Sequence, residues 1–410
     1  MTHRHDNPSA DEVAGTPSRL SASSRLKNID ELGVVVEKLI AGGDGLARWE
    51  GIPIFIPRSA PGDHLRVRLT ERRTDYGRAE ILEILVSGPG RRTPPCPHFG
   101  RCGGCDLQHL EDDLQIELKA AAVRETLSRL GGVDADVPVE VVPGQSWAYR
   151  QRVQIHTQGE DEDLRIGFRS RRGSEVVAVQ SCPVMVPELE GQLPDLPGLL
   201  PPNPPRRLDF LAGDGGRLST APKTDSLPHG GVEISVGDFR YELDARCFFQ
   251  NHRQLLPVLL DHVIGPWTGD QAIDLFAGVG FFSLPLGQRY QRIVAVEGDR
   301  VAGRYLQRNA RRRRLGHLQY VHFAVDSWIS QLPKRSDRVV VDPPRTGLSR
   351  KVCAFLCARK PRRLSYVSCH PAALARDLKT LTKVFRIEKI SLLDLFPQTG
   401  HMEVVVQLVS

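Results

Sequence analysis

The 410-residue sequence contains no run approaching the roughly 18 apolar residues that a membrane span needs, so no spanning helix is expected. The first 28 residues also lack the apolar h-region of a secretory signal. They are rich in serine, proline and charge, and read as a disordered tail, 1–28. No internal repeat is found. A strong charge of either sign is missing too: the formal net charge is only +6. The positive charge that exists is clustered, at Arg311, Arg312, Arg313 and Arg314 and at Arg169, Arg171 and Arg172. Such runs suit phosphate contacts, although a short basic run more often serves as a solvated face. Eight cysteines without a secretory signal point to a reducing compartment, the cytoplasm, and to thiols kept for metal or catalysis.

What is present sets the domain count. A composition of 40% hydrophobic and 25% charged residues argues against wholesale disorder, and 410 residues exceed what one core holds, so two or three domains are expected. Residues 29–88 show short apolar alternations broken by glycine and proline (LGVVVEKLI, IPIFIP, PGDHLRVRL, YGRAEILEIL), the rhythm of a small β-barrel. It carries Arg66, Arg68, Arg72 and Arg73 as candidate phosphate contacts. Residues 111–130 place Leu114, Leu118, Ala121, Val123 and Leu127 at helical spacing, and Gly131-Gly132 ends that helix. A strand-rich α+β region follows to residue 246, with a Pro/Gly-rich loop at about 193–205.

The last third, 247–410, reads differently. AIDLF, RIVAVE, LQYVHFAVD, DRVVVDPP and LSYVSC are compact apolar runs alternating with helical segments, the signature of a parallel sheet covered on both faces. Ligands of such sheets bind at the strands' carboxyl ends. Asp274, Glu297, Asp326, Asp342 and Cys369 all fall there.

Three motifs carry chemistry. In DLFAGVGFFSLPL (274–286), Gly278 and Gly280 let the backbone approach a ligand, and Glu297 lies 19 residues on, where an acid binds a ribose hydroxyl pair. The motif fits a nucleotide-like cofactor of either a methyltransferase or a dehydrogenase. DPPRTGL (342–348) holds Asp342 on a rigid turn beside Arg345, which suits a site for a planar base. SYVSCHPAALARDL (365–378) sets Cys369 ahead of a helix, whose N-terminus is expected to lower the thiol pKa. Cys247, Cys353 and Cys357 read as inert core residues. Cys96, Cys102 and Cys105 form a close-set trio in a Pro/Gly loop, with Cys182 a fourth; the spacing suits zinc or a [4Fe–4S] cluster equally. Glu403, at the start of an apolar strand, is a surface residue by default and a candidate base if the chemistry is an addition.

With these motifs in this order, residues 31–410 resemble the RNA 5-methyluridine methyltransferase family, close to its iron–sulfur type that modifies 23S ribosomal RNA. The resemblance implies a TRAM barrel, a cluster-bearing central domain (89–246) and a Rossmann-like α/β methyltransferase domain (247–410). It assigns the cluster to Cys96, Cys102, Cys105 and Cys182, and the S-adenosylmethionine site to Gln250, Phe276, Glu297, Asp326 and Asp342. It makes Cys369 the nucleophile and Glu403 the base. His252, Phe281 and Ala373 depart from the family pattern. The implied partner is structured RNA, ribosomal or transfer RNA, bound by a monomer. A non-catalytic RNA-binding cluster protein and a dinucleotide oxidoreductase are the alternatives.

Overall fold

Alternating burial along three of its five strands builds the first unit. In the computed structural model, which describes residues 21–160, 163–171 and 173–410, strands β1 (Glu31–Leu39), β2 (Asp44–Trp49), β3 (Ile52–Pro57), β4 (His64–Arg72) and β5 (Gly77–Val86) close a barrel in the order β1-β2-β3-β5-β4. Every second residue of β1 and β4 points inward, and Val36, Ile54, Ile56, Leu65 and Val67 fill the core. Residues 1–20 of the expected tail lie outside the described residues. The rest of it is folded: a one-turn helix α1 (Ala22–Arg25) leads fully buried Leu26 into the barrel, so that unit starts earlier than residue 29.

After the cysteine-bearing segment come helix α2 (Asp112–Gly131), closed by Gly132 in the left-handed conformation, and strand β6 (Val139–Val142). An antiparallel sheet follows, β7 (Arg152–Gln158), β8 (Arg165–Arg169), β9 (Val176–Ala178), β10 (Arg207–Ala212) and β11 (Leu218–Ala221), in the order β11-β10-β7-β8-β9. The short helices α3 (Pro187–Glu190) and α4 (Leu196–Leu199) lie between β9 and β10, so the expected loop at 193–205 is partly helical. A hairpin, β12 (Val232–Val236) and β13 (Phe239–Leu243), precedes helix α5 (Leu256–Ile264).

The remaining chain alternates as expected: β14 (Gly269–Leu275), α6 (Ser283–Leu286), β15 (Tyr290–Glu297), α7 (Arg300–Arg312), β16 (Leu318–His322), α8 (Val325–Trp328), β17 (Arg338–Val341), α9 (Arg350–Arg359), β18 (Arg363–Ser368), α10 (Pro371–Leu381), β19 (Arg386–Leu393) and β20 (Glu403–Val409). The sheet order is β16-β15-β14-β17-β18-β20-β19-β6. Strand β20 inserts antiparallel between β18 and β19. Two elements placed with the central region belong to this layer instead. Strand β6 pairs in parallel with β19, and α2 packs Ala120, Val123 and Leu127 with Leu374, Ala375 and Leu378 of α10 in one core. The hairpin also packs here, its Tyr241 hydroxyl donating to the Phe281 carbonyl at 2.8 Å. Among the described residues no helix is long and apolar enough to cross a membrane.

A buried ion pair pins α2 to the segment after β19: Lys119 Nζ, fully buried, lies 2.8 Å from Asp394 Oδ1 and donates to the Phe396 carbonyl at 3.0 Å. Removing one partner strands the other charge in a dry interior. We expect Lys119→Met to lower the unfolding free energy by about 3–5 kcal/mol, and Lys119→Met/Asp394→Leu to recover most of it, as read by denaturant titration.

Candidate active site

The carboxyl ends of β14, β15, β17 and β18 meet the start of β20, and the site is built on that edge. In the β18–β20 register Ser368 faces Val404, so Cys369 and Glu403 emerge side by side. Leu275 faces Val341 in the β14–β17 register, which puts Phe276 beside Asp342. Gln250, buried ahead of α5, donates from Nε2 to Asp342 Oδ2 at 3.2 Å. Four of the expected residues, Gln250, Asp342, Cys369 and Glu403, thus come together at one edge of the sheet.

Burial dominates the electrostatics here. The Asp342 carboxyl is pushed up to about 7 by desolvation, and its bond from Gln250 offsets only part of that. Glu403 is raised well above the carboxylate range by desolvation and by Asp342. Its Oε1 is buried with no hydrogen-bond partner among the described residues. Burial also drives Cys369 up to about 11, with Glu403 and Asp342 adding to the rise and Arg345 opposing it. The expectation that the following helix lowers this thiol is therefore not met. Cys369 lies outside α10, ahead of its cap, His370, and burial is the largest influence on its proton, with Glu403 and Asp342 adding to it.

The glycine turn is ready for a ligand. No atom stands within 4 Å of the position a Cβ would take on Gly278, whose φ is +54. Glu297 closes β15 and accepts from Gly278 N at 2.7 Å and Asp299 N at 2.6 Å, which fixes its carboxylate at the rim of that open space. Phe276 is held at φ +65, a conformation bulky residues rarely adopt and one that clusters at ligand sites. Beneath the turn lies Asp274, fully buried, raised to about 7 by desolvation; Ser283 Oγ donates to its Oδ2 at 2.5 Å. Its part in holding the turn had no signal in the sequence beyond its position. Asp326 differs from expectation: β16 ends at His322, and Asp326 lies in the first turn of α8, exposed. It still lines a cavity together with Phe276, Pro344 and Gly347. These features fit a nucleotide-like cofactor.

Two of the family departures prove structural. His252 stacks on Tyr149 with ring centroids 4.8 Å apart, and burial lowers its pKa to about 4. Phe281 packs among Tyr241, Phe249 and Phe282. At Ala373, the third departure, the backbone N donates to the capping His370 Nδ1 at 3.1 Å, a bond any residue but proline can make there.

Cys96, Cys102, Cys105 and Cys182 line one enclosed cavity with Arg150 and Gln108. Among the described residues no group of three or more Cys, His, Asp or Glu converges as the ligands of a single ion would. Desolvation pushes Cys105 up to about 11 and Cys182 to about 12, while Arg150 lowers both. Cys247 and Cys353 are buried core residues, and Cys357 is partly buried against the core.

The basic runs are less free than their sequence suggests. Arg66 pairs with Glu31 and Glu83, Arg68 with Glu80, Arg72 with Asp30 and Arg73 with Glu71. Arg171 bridges Asp44 and Asp106, Arg312 pairs with Glu233, and Arg313 lies over Phe239. Arg172 lies outside the described residues.

Comparison with known proteins agrees with this geometry. Residues 229–410 match the family model described as tRNA (Uracil-5-)-methyltransferase, and residues 26–82 match the TRAM domain. The chain is 30% identical to a protein of Pectobacterium atrosepticum named 23S rRNA (uracil(1939)-C(5))-methyltransferase RlmD, over 95% of this chain and 96% of that one. It is 32% identical to the protein of the same name from Photorhabdus laumondii subsp. laumondii, over 93% and 97%. The crystal structure of Pyrococcus abyssi tRNA (uracil-54, C5)-methyltransferase in complex with S-adenosyl-L-homocysteine superposes with a TM-score of 0.72 at 26% identity, covering 92% of this chain and all of that one. On these full-length likenesses, the chain belongs to the RNA (uracil-5-)-methyltransferase family.

Proposed function

We propose that this protein methylates C5 of a uridine in 23S ribosomal RNA in the cytoplasm, with Cys369 as nucleophile and Glu403 as base. The observation that carries the chemistry is the side-by-side emergence of Cys369 and Glu403 at the edge where Asp342 and the open glycine turn also lie. The relatives that match over the full chain carry the ribosomal substrate; transfer RNA is the second reading, because the solved relative acts there. Loss of 5-methyluridine from 23S RNA, with transfer RNA unchanged, in cells deleted for the gene tests the choice.

S-adenosylmethionine, when bound by Gln250, Phe276, Glu297, Asp326 and Asp342, supplies an electrophilic methyl group. Uracil C5 is a poor nucleophile until a thiolate adds to C6. The Cys369 thiol gives up its proton to solvent, the Sγ–C6 bond forms, and the C5=C6 electron pair passes to C5 and O4 as an enolate. C5 would then take the methyl group that the bound donor supplies. Glu403 takes the C5 proton, the C5–H pair restores the double bond, and the thiolate leaves. Asp342 fixes the polar edge of the base, and Arg345 faces the negative charge that gathers on O4. The target uridine must leave its stack to reach this pocket.

The four cysteines around one cavity, with the half-buried Arg150 beside them, support a [4Fe–4S] cluster. Each iron takes one thiolate, so the sulfurs of a cluster surround a space and do not close on a point. Raised thiol pKa values mean that binding releases protons. Anaerobically purified protein should be brown with about four irons per chain, and Cys182→Ser should bleach it. A colourless protein with one zinc would overturn the assignment.

The nucleophile and base are separable by what accumulates. Cys369→Ala should abolish turnover and any RNA adduct. Glu403→Gln should slow turnover by about 10²–10⁴-fold while a methylated protein–RNA adduct persists on denaturing gels. Normal turnover by either variant refutes its assigned role.

Protonation adds a further expectation. Desolvation and Asp342 hold Glu403 well above the carboxylate range, so the base takes up its proton at a higher pH than a free carboxylate would, and methyl transfer should fall as pH drops. Asp342→Asn removes one cause of the rise at Glu403 and should move that limb to lower pH, even at a reduced rate. A flat single-turnover profile between about pH 5.5 and 9 would contradict it.

A further inference from the structure

The turn that leads into Glu403 is held from outside its own sheet. Gln398 adopts φ +65 and is fully buried, a strained conformation for a residue with a side chain. Its backbone N accepts no freedom: it donates to Gln115 Oε1 at 2.9 Å, and its side chain donates to Asp112 Oδ1 at 2.8 Å. Its carbonyl accepts from both Asp106 N, at 2.9 Å, and Leu107 N, at 3.0 Å. Two residues on, Gly400 N donates to Asp106 Oδ2 at 3.0 Å. A Cβ on Gly400 would stand 2.4 Å from the Gly42 carbonyl, so the turn also lies flat against the barrel.

Asp106 bonds this turn twice, from its backbone N to the Gln398 carbonyl and at its Oδ2 from Gly400 N. It follows Cys105 directly, and its other oxygen, Oδ1, lies 2.9 Å from Arg171 Nη1 of the central sheet. Arg171 in turn donates to Asp44 Oδ1 of the barrel at 2.8 Å. The Asp106 side chain thus ties the cysteine-bearing segment to Gly400, three residues before Glu403, and through Arg171, in the β8–β9 turn, to the barrel.

We infer that Asp106 is a positioning residue for the reaction, which sets the Glu403 carboxyl by fixing the 398–402 turn. The inference rests on the reading of Glu403 as base and goes beyond it. A group that acts through placement should fail at the step the placed group performs. Asp106→Ala should therefore lower kcat by about 100-fold, the order expected for a misplacement of about an ångström, with KM for RNA within about twofold. The methylated Cys369–RNA adduct should accumulate as it does in Glu403→Gln. Hydrogen exchange at 398–402 should rise. Asp106→Asn keeps an oxygen acceptor for Gly400 N and should restore kcat to within a few-fold of wild type. Gly400→Ala, which pushes the turn off Gly42 and leaves Asp106 intact, should reproduce the adduct and guards against Asp106→Ala failing to fold.

Wild-type turnover in Asp106→Ala or Gly400→Ala, loss of turnover without an adduct, or an Asp106→Asn no better than Asp106→Ala would each overturn the inference. Glu403→Gln run in parallel separates the two readings. Normal turnover there removes the base itself, whereas a stalled Glu403→Gln beside a normal Asp106→Ala removes only the positioning role.

Discussion

Carboxyl groups kept out of water govern this site. Asp274, Asp342 and Glu403 sit at one edge of the sheet, and for each of them desolvation is the largest influence on its proton. Together with the Cys369 thiol they cannot all carry charge at once, because each added negative charge raises the cost of the next. A pocket of this kind holds protons that it can hand over when a substrate changes the balance. A cationic sulfonium does so directly, and a thiol that becomes a thioether removes one acid from the set. The same argument explains why Arg345 is near and Gln250 bonds Asp342: both favour the charged form without admitting water.

The α/β layer was legible because strands buried on both faces leave continuous apolar runs, and each of the five expected strands is present. The residues after those runs gave most of the site. What failed did so for identifiable reasons. Strand β6 has four residues, and its partner β19 lies about 250 positions away, so no local pattern announces the pairing. The apolar face of α2 shows its periodicity but not which helix it meets. Asp326 follows a run whose last residues read as strand, whereas the chain turns after His322.

Charges were the least legible feature. The arginines of the barrel look free in sequence because their acids stand on neighbouring strands, as Glu83 does for Arg66. Cys369 looked activated because only the helix after it is local; the burial that chiefly opposes activation, and the carboxyl groups that add to it, come from β17, β20 and the packing around them. Sequence spacing conveys which side chains exist and often which edge they reach. It conveys little about who stands opposite.

The position of β20 bears on how the fold is assembled. This strand is the last of the sheet in chain order, yet it lies between β18 and β19, which do not pair with each other. Until it is synthesised, both of those strands present open edges, and β19 and β6 have no link to the rest of the sheet. Pairings of this range form slowly and leave sticky edges exposed meanwhile. The strand that joins the two halves also brings Glu403, so completion of the sheet and arrival of that carboxyl beside Cys369 are one folding event. A chain still emerging during translation would hold the thiol without its neighbour, and would gain both its mechanical continuity and its full complement of acids in the same closing step.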